Sequence, residues 1–253
     1  MILAVVFGVV IGLSTGLLGA GGSILAVPAL VYGVGQPMST AVPTALVVVA
    51  ASAIGGLCSR NRLRLVQWPV ALVFGLAGIP GAIGGAVLGR SLPQDWLLLG
   101  FAVLMVVVAA RMFRSGGRGP SSEVDQQGFL PRTAAAGSGV GVLTGLFGVG
   151  GGFVVVPALT ILLGLTAPQA IANSMVVITI NSVSGLVAHT GAAAQLDLGV
   201  LLTFAATAML VSVAAARFSD RLPASTVRRA FAWTVLVIAA GVGTSSAINL
   251  ATA

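Results

Sequence analysis

The chain has 253 residues, of which 57% are hydrophobic and 7% charged, and its mean hydropathy is +1.11. A soluble domain carries about 25% charged residues, so this composition excludes a soluble globular protein and indicates an integral membrane protein. The net charge of +7 comes from arginines at the ends of apolar runs, which indicates membrane orientation rather than nucleic-acid binding.

Apolar runs recur along the chain, and about 20 residues are enough to cross ~30 Å of hydrocarbon as a helix. Five helical segments are predicted in the first half: Ile2–Leu18, Ser23–Val34, Ser39–Ser59, Trp68–Leu88 and Gln94–Phe113. The second segment has about a dozen residues, which span only ~18 Å. Segments one and two therefore read as a broken or re-entrant pair that meets at glycines.

A polar, breaker-rich stretch from Ser115 to Gly128 then predicts a flexible linker. Five more segments follow it: Arg132–Phe147, Phe153–Leu163, Pro168–His189, Leu198–Ala216 and Ser225–Leu250. The predicted organisation is a first transmembrane repeat over residues 1–114, a linker over 115–131 and a second repeat over 132–253.

The second half repeats the first with an offset of 129 residues. Gly12–Leu30 reads GLSTGLLGAGGSILAVPAL and Gly141–Leu159 reads GVLTGLFGVGGGFVVVPAL, with eleven of nineteen positions identical. Each copy breaks an apolar stretch with glycines near its start. Paired breaks at matching places in two halves of a membrane protein indicate the binding site of a transporter.

Arginine placement predicts that the two repeats have inverted topology. Arg60, Arg62 and Arg64 follow the third segment, whereas the matching connection of the second half, Thr190 to Gln195, contains no arginine. In the second half the arginines come one connection later, beginning at Arg217. Because arginine-rich short loops stay cytoplasmic, the linker is expected in the cytoplasm and both termini outside.

The two glycine turns are the predicted substrate site. They consist of Gly19, Gly21, Gly22 and Ser23 in the first half and of Gly148, Gly150, Gly151 and Gly152 in the second. A helix that restarts after such a turn presents free N–H groups and the positive end of its dipole, which together bind an anion. The alternative for these glycines is close helix packing.

Polar side chains in the third segments are predicted to add contacts to the substrate. Thr44 and Ser52 are the register partners of Asn173 and Asn181. Hydroxyl and amide groups donate to ligand oxygens without a buried charge, although helix–helix hydrogen bonding is the alternative. No carboxylate lies in the middle of an apolar run, which favours an anion over a cation as substrate.

The single histidine, His189, suggests a proton relay with Asp197, because histidine titrates near neutral pH. The alternative is an interfacial residue at a helix end. One histidine and one cysteine supply no nucleophile–base–orienter set, so no enzyme is expected, and neither a metal nor a cofactor.

The twin G-L-x-G-x-G-G motifs followed by P-A-L, in Gly16–Leu30 and Gly145–Leu159, resemble the TauE/SafE family of sulfite and organosulfonate carriers. The polar third helices and the arginine-flanked linker add to this resemblance, which covers essentially the whole chain. It implies an all-α, multi-pass protein of the bacterial inner membrane that moves sulfite, sulfoacetate or aryl sulfonates such as toluenesulfonate. An anion channel and a non-transporting membrane subunit are the alternatives.

Overall fold

The computed structural model describes residues 2–19, 22–58, 60–89, 100, 103–107, 109–110, 126–147, 152–188 and 198–219, with pairs at 222–223, 225–226, 229–230, 232–233, 236–237 and 239–240. Over these residues the regular structure is helical and contains no strand. The helices are α1 (Ile2–Leu18), α2 (Gly22–Pro28, continued as a π-helix over Ala29–Gly33), α3 (Met38–Leu57), α4 (Arg60–Leu65), α5 (Trp68–Gly89), α6 (Gln126–Phe147), α7 (Gly152–Ile161), α8 (Ala167–Ala188) and α9 (Leu198–Ser219).

Four of these helices, α3, α5, α8 and α9, are long and apolar enough to cross a membrane. Large apolar side chains on them lie exposed, such as Ile83, Val187 and Leu210, as expected where lipid is the solvent. The prediction of an all-α, multi-pass membrane protein is confirmed.

The helix bounds follow the predicted segments closely, with two differences. α6 begins at Gln126, inside the predicted linker, because a helix continues past the apolar residues that lie in the membrane. The arginine-rich connection after α3 forms a helix of its own, α4, which the sequence pattern did not predict. The predicted segments Gln94–Phe113 and Ser225–Leu250 lie largely outside the described residues.

α1 ends at a glycine in the left-handed region. Gly19 has φ +81°, and its N–H donates to the carbonyl of Thr15 at 2.8 Å. A residue with a Cβ adopts this conformation only under strain, which explains the glycine at this helix end. Its register partner, Gly148, lies outside the described residues.

The second segments of the two halves end in the same way. Gly35 and Gly164 both have positive φ, +78° and +67°. The next N–H in each half reaches back over the turn, from Gln36 to the Leu30 carbonyl at 3.0 Å and from Leu165 to the Leu159 carbonyl at 3.1 Å. These pairs stand 129 residues apart, so the sequence repeat is also a repeat of local structure.

Glycines hold α1 against α9. Cβ atoms added at Gly8, Gly12 and Gly16 would meet, in order, Phe204, Ala208 and Ser212. The residue numbers of the contacting residues increase by four on both helices, so α1 and α9 run parallel and lie close together. Small residues one turn apart allow such an approach in membranes, where packing rather than the hydrophobic effect joins helices.

The same interface recurs between α5 and α6. An added Cβ at Gly137 would meet Phe74, and one at Gly141 would meet Gly78. α6 is the counterpart of α1, and α5 is the counterpart of α9. The first helix of each half therefore packs on a helix of the other half. Neither half therefore buries its glycine faces alone.

The counterpart helices α3 and α8 pack directly on each other. A Cβ at Gly185 would lie 3.1 Å from Cδ1 of Leu46, and one at Gly56 would lie 2.7 Å from Cε of Met175. The residue numbers of the contacting residues rise along α3 and fall along α8, so α3 and α8 run antiparallel. Adding 129 to 46 and 56 gives 175 and 185, so each contact is the counterpart of the other. The inverted placement of the halves in a bilayer stays a prediction.

Candidate anion-binding site at the two helix breaks

The first break is lined by hydroxyl groups. The Ser52 hydroxyl donates to the Val49 carbonyl at 2.9 Å and lies 3.4 Å from the Thr15 hydroxyl, and both side chains are buried. A Cβ added at Gly22, the first residue of α2, would overlap the Thr15 hydroxyl. A glycine at position 22 therefore lets the start of α2 approach α1 and the polar side of α3.

The second break touches the first. A Cβ added at Gly152, the first residue of α7, would lie 2.6 Å from the Ser23 hydroxyl and 2.9 Å from Cδ1 of Ile178. Ser23 and Gly152 are register partners, 129 residues apart. When two equivalent residues touch each other, the axis that relates the halves passes between them. The structure thus places the starts of α2 and α7 side by side.

Both breaks lie at one level of the α3–α8 pair. Starting from the contact between Gly56 and Met175, three steps along each helix reach Ala53 on α3 and Ile178 on α8. Ile178 contacts Gly152 at the second break, and Ser52, next to Ala53, lies 3.4 Å from the Thr15 hydroxyl that adjoins Gly22 at the first. The starts of α2 and α7 therefore lie in the same cross-section of the molecule rather than at opposite ends of it.

The four predicted polar side chains separate into two groups. Ser52 is 0% exposed and adjoins the first break, and Asn181 lies one turn beyond Ile178 on α8. Thr44 and Asn173 each lie eight residues away from these partners, about 12 Å along the helix, in opposite directions. Ser52 and Asn181 are therefore the two of the four that lie within about one turn of the residues that contact the breaks.

Hydrogen bonds within the fold engage the two distant side chains. The Asn173 amide accepts the N–H of Gln67 at 3.0 Å, just before α5, and donates to the Gln169 carbonyl at 2.7 Å. Thr44 donates to the Thr40 carbonyl at 2.7 Å. Asn173 thereby satisfies a backbone donor at the start of α5, which is the helix–helix role that the sequence left open for it.

The remaining predicted site residues lie outside the described part of the chain. They are Gly21, Gly148, Gly150, Gly151, His189 and Asp197. The proton relay and the central residues of the second turn accordingly stay predictions. Among the described residues no cluster of histidine, cysteine and carboxylate side chains offers a metal site.

A cavity of about 230 Å³ lies between the second half of α1, up to Leu18 just before the first break, and the end of α9 with the residues that follow it. Its walls include Leu13, Leu17, Ser219 and Leu222, and it contains none of the predicted site residues. The substrate-site prediction therefore depends on the contact between the breaks rather than on this cavity.

The sequence analysis did not predict two buried polar residues near the breaks. Arg62 of α4 is only 3% exposed, and its Nη1 lies 3.6 Å from the sulfur of Met175. The sequence assigns Arg60, Arg62 and Arg64 to membrane orientation, with guidance of anions to an inner mouth as the alternative, and the burial of Arg62 is an addition from the structure. Ser212 of α9 is fully buried, and its hydroxyl has no hydrogen-bond partner among the described residues. A small polar residue inside an apolar run was the signal that would have found it.

The comparisons with known proteins agree on one family. The sequence pattern described as "Sulfite exporter TauE/SafE" matches residues 4–242. A "Probable membrane transporter protein" from Xylella fastidiosa strain 9a5c is 35% identical over 181 residues, covering 70% of this chain and 69% of its own. Another of that name from Haemophilus influenzae is 27% identical over 94% of this chain and 96% of its own, and YunE of Bacillus subtilis is 26% identical over 74% and 77%. No solved structure matches the chain.

Exchanging the side chains of Ser23 and Gly152 tests the contact between the breaks. We expect Gly152→Ser alone to lower the transport rate about tenfold or more, because two serines would occupy space that holds one. The double variant Ser23→Gly/Gly152→Ser restores a single hydroxymethyl group between the breaks and is expected to recover most of the rate. The measurement is the initial rate of anion flux in proteoliposomes.

Gly84→Ser provides the control, because no described residue lies within 4 Å of a Cβ added at that exposed glycine of α5. A double variant as inactive as Gly152→Ser, with normal folding, would contradict the contact.

Proposed function

Because the chain belongs to the sulfite exporter TauE/SafE family, we propose that it is a secondary transporter of sulfur-containing anions such as sulfite, sulfoacetate or organosulfonates. Its all-helical fold with four helices long enough to span a bilayer supports a multi-pass location, which we place in the bacterial inner membrane. The substrate class follows from the family together with the anion-binding chemistry of the two breaks.

The substrate's oxyanion group is proposed to bind between the two helix starts. Backbone N–H groups of Gly21, Gly22 and Ser23 would donate from one side, and those of Gly150, Gly151 and Gly152 from the other. The observation that carries this proposal is the contact of Ser23 with Gly152, which brings the two starts together. In a low-dielectric surrounding, two helix dipoles aimed at one point attract an anion more strongly than in water.

Hydroxyl groups complete the proposed site on the first side. Thr15 and Ser52 lie beside Gly22, and both are buried. Asn181, one turn beyond the second break, is the amide placed to add a contact, whereas Asn173 positions α5 from a distance. A site made of neutral donors suits a substrate that must bind and leave again, because it holds the anion without a permanent ion pair at the centre.

Alternating access would follow from the arrangement of the helices in two bundles. The reciprocal contacts of α1 with α9 and of α5 with α6 make two bundles from elements of both halves, and the breaks meet between them. Rocking of one bundle against the other about a central site is a common transporter mechanism. We propose the cytoplasmic side for the linker and for α4, and the outside for both termini, as arginine placement predicts.

The membrane potential determines in which direction an anion can move without a coupled ion. Moving one negative charge out of a cell with a negative interior releases about 2.3 kcal/mol per 100 mV. Export of a sulfur oxyanion therefore proceeds downhill, whereas uptake requires a coupled ion, for which we propose the proton. His189 and Asp197 are the proposed carriers of that proton.

Flux in proteoliposomes tests the substrate class. We expect saturable uptake of toluenesulfonate and sulfite by the wild type, and no uptake of a trimethylphenylammonium cation of similar size. Gly22→Leu is expected to abolish the flux, because its side chain would displace Thr15 from the first break.

Gly84→Leu, on the open side of α5, serves as the matched control and should transport normally. Wild-type vesicles that carry none of these anions, or carry them without saturation, would argue for the subunit or the channel instead.

Cysteine labelling tests the inverted placement in the membrane. Pro37 and Pro168 lie exposed at the starts of α3 and α8, which run antiparallel. In a Cys58→Ser background, which removes the one exposed native thiol, we expect Pro37→Cys and Pro168→Cys to react with an impermeant maleimide from opposite faces.

Arg64→Cys, exposed on α4, should share the cytoplasmic face with Pro168→Cys. Reaction of Pro37→Cys and Pro168→Cys from the same face would rule out inverted repeats.

A further inference from the structure

We infer that Arg62, with the hydroxyl of Ser212, forms a second, cationic position for the transported oxyanion, one helical turn from the breaks on the side of the molecule where α3 ends. This inference rests on the proposed function, because it assigns a relay step to the same substrate. Arg62 and Ser212 lie outside the glycine turns. A cationic position there would make the side of the transporter where α3 ends different from the opposite side.

Burial is the first observation that carries the inference. Arg62 is 3% exposed, whereas Arg64, two residues later in the same short helix, lies exposed. Arginine that serves only to orient a membrane protein stays in water or at the headgroups. A guanidinium held inside the membrane-spanning part of a protein is costly and marks an ion pathway or a binding site.

The depth of Arg62 follows from its contact with α8. Its Nη1 lies 3.6 Å from the sulfur of Met175, which is the eighth residue after Ala167, where α8 begins. Eight residues of helix rise about 12 Å, so the guanidinium lies well inside the end of a membrane-spanning helix. α4 therefore packs along α8, with Arg62 buried and Leu63 and Arg64 exposed.

Two chains of contact connect Arg62 with the breaks. On α8, Met175 follows Ser174, whose hydroxyl would lie 3.0 Å from a Cβ at Gly19, where α1 ends. On α3, Met175 touches Gly56, and one turn earlier, about 6 Å along the helix, Ser52 adjoins the first break. An anion leaving the breaks along this wall comes within reach of the guanidinium after a single turn.

Ser212 supplies a second polar group at the same place. Its hydroxyl would lie 2.9 Å from a Cβ at Gly56, and the Met175 sulfur would lie 3.2 Å from that same point. Ser212 is fully buried, and within the described residues its hydroxyl is left without a hydrogen-bond partner. A buried hydroxyl in that state costs free energy unless a ligand uses it, and an oxyanion accepts from hydroxyl and guanidinium groups alike.

The second half of the chain lacks this cationic position. The register partner of Arg62 is Gly191, and that of Ser212 is Ile83. The two breaks are near-equivalent, but only one mouth carries the charge. The inference therefore predicts that the anion binds more tightly from the α4 side than from the opposite side, as suits capture of a dilute anion on that side.

Side-specific transport kinetics test the inference. Wild type, Arg62→Met, Arg62→Gln and the control Arg64→Met are reconstituted, and toluenesulfonate influx is measured in vesicle populations of each orientation. We expect both Arg62 variants to raise the half-saturating concentration at least about tenfold from the α4 side and less than about threefold from the other side, because one charge-assisted contact is lost. Arg64→Met should match the wild type on both sides.

Folding is read separately from transport by the thermal midpoint in detergent. Truncating one partner of a buried charged contact destabilises a protein, so Arg62→Met is expected to lower the midpoint. Arg62→Gln and the milder Ser212→Ala keep the test readable if the methionine variant is unstable. Ser212→Ala should raise the half-saturating concentration from the α4 side about threefold.

Equal changes on both sides, or wild-type kinetics in a folded Arg62 variant, would overturn the cationic position and leave the proposed function standing. A wild type that transports no sulfur oxyanion would instead overturn the proposed function.

Discussion

A break in a membrane helix exposes backbone N–H groups that lipid cannot satisfy, and this chain brings two such breaks to one place. Ser23 begins one returning helix and Gly152 begins the other, and they touch. The contact requires glycine at position 152, and the matching glycine at position 22 lets the other helix start approach Thr15 of α1. We propose that backbone donors at these two helix starts bind the anion.

The contact is stable because neither half folds around it alone. Gly8, Gly12 and Gly16 seat α1 of the first half on α9 of the second, and Gly137 and Gly141 repeat the arrangement for α6 on α5. Exchange of partners between the halves means that a rigid body of the transporter contains elements of both repeats. Movement between such bodies would open the breaks to one side of the membrane or the other without unfolding either interface.

Much of this could be predicted from the sequence, because a repeat at a fixed offset encodes repeated structure. The bounds of α1, α3 and α5 follow from apolar runs between breakers, and the matching glycines predicted where the chain turns. The burial of Arg62 could not be predicted, since arginine after an apolar run normally stays in water, and only packing shows that its side chain lies against α8. Asn173 likewise depended on a contact with Gln67, 106 positions away, which no local pattern encodes.

The most direct test of the central claim is a disulfide between the two breaks. Ser23→Cys and Gly152→Cys in a Cys58→Ser background place two thiols side by side, because a Cβ added at Gly152 would lie 2.6 Å from the Ser23 hydroxyl. Toluenesulfonate is the substrate to follow, since sulfite itself cleaves disulfides. The account predicts that oxidation cross-links the pair and stops the transport that the crowded reduced variant retains, and that a reductant restores that rate. Thiols that do not cross-link, or a cross-linked protein that transports at the reduced rate, would contradict it.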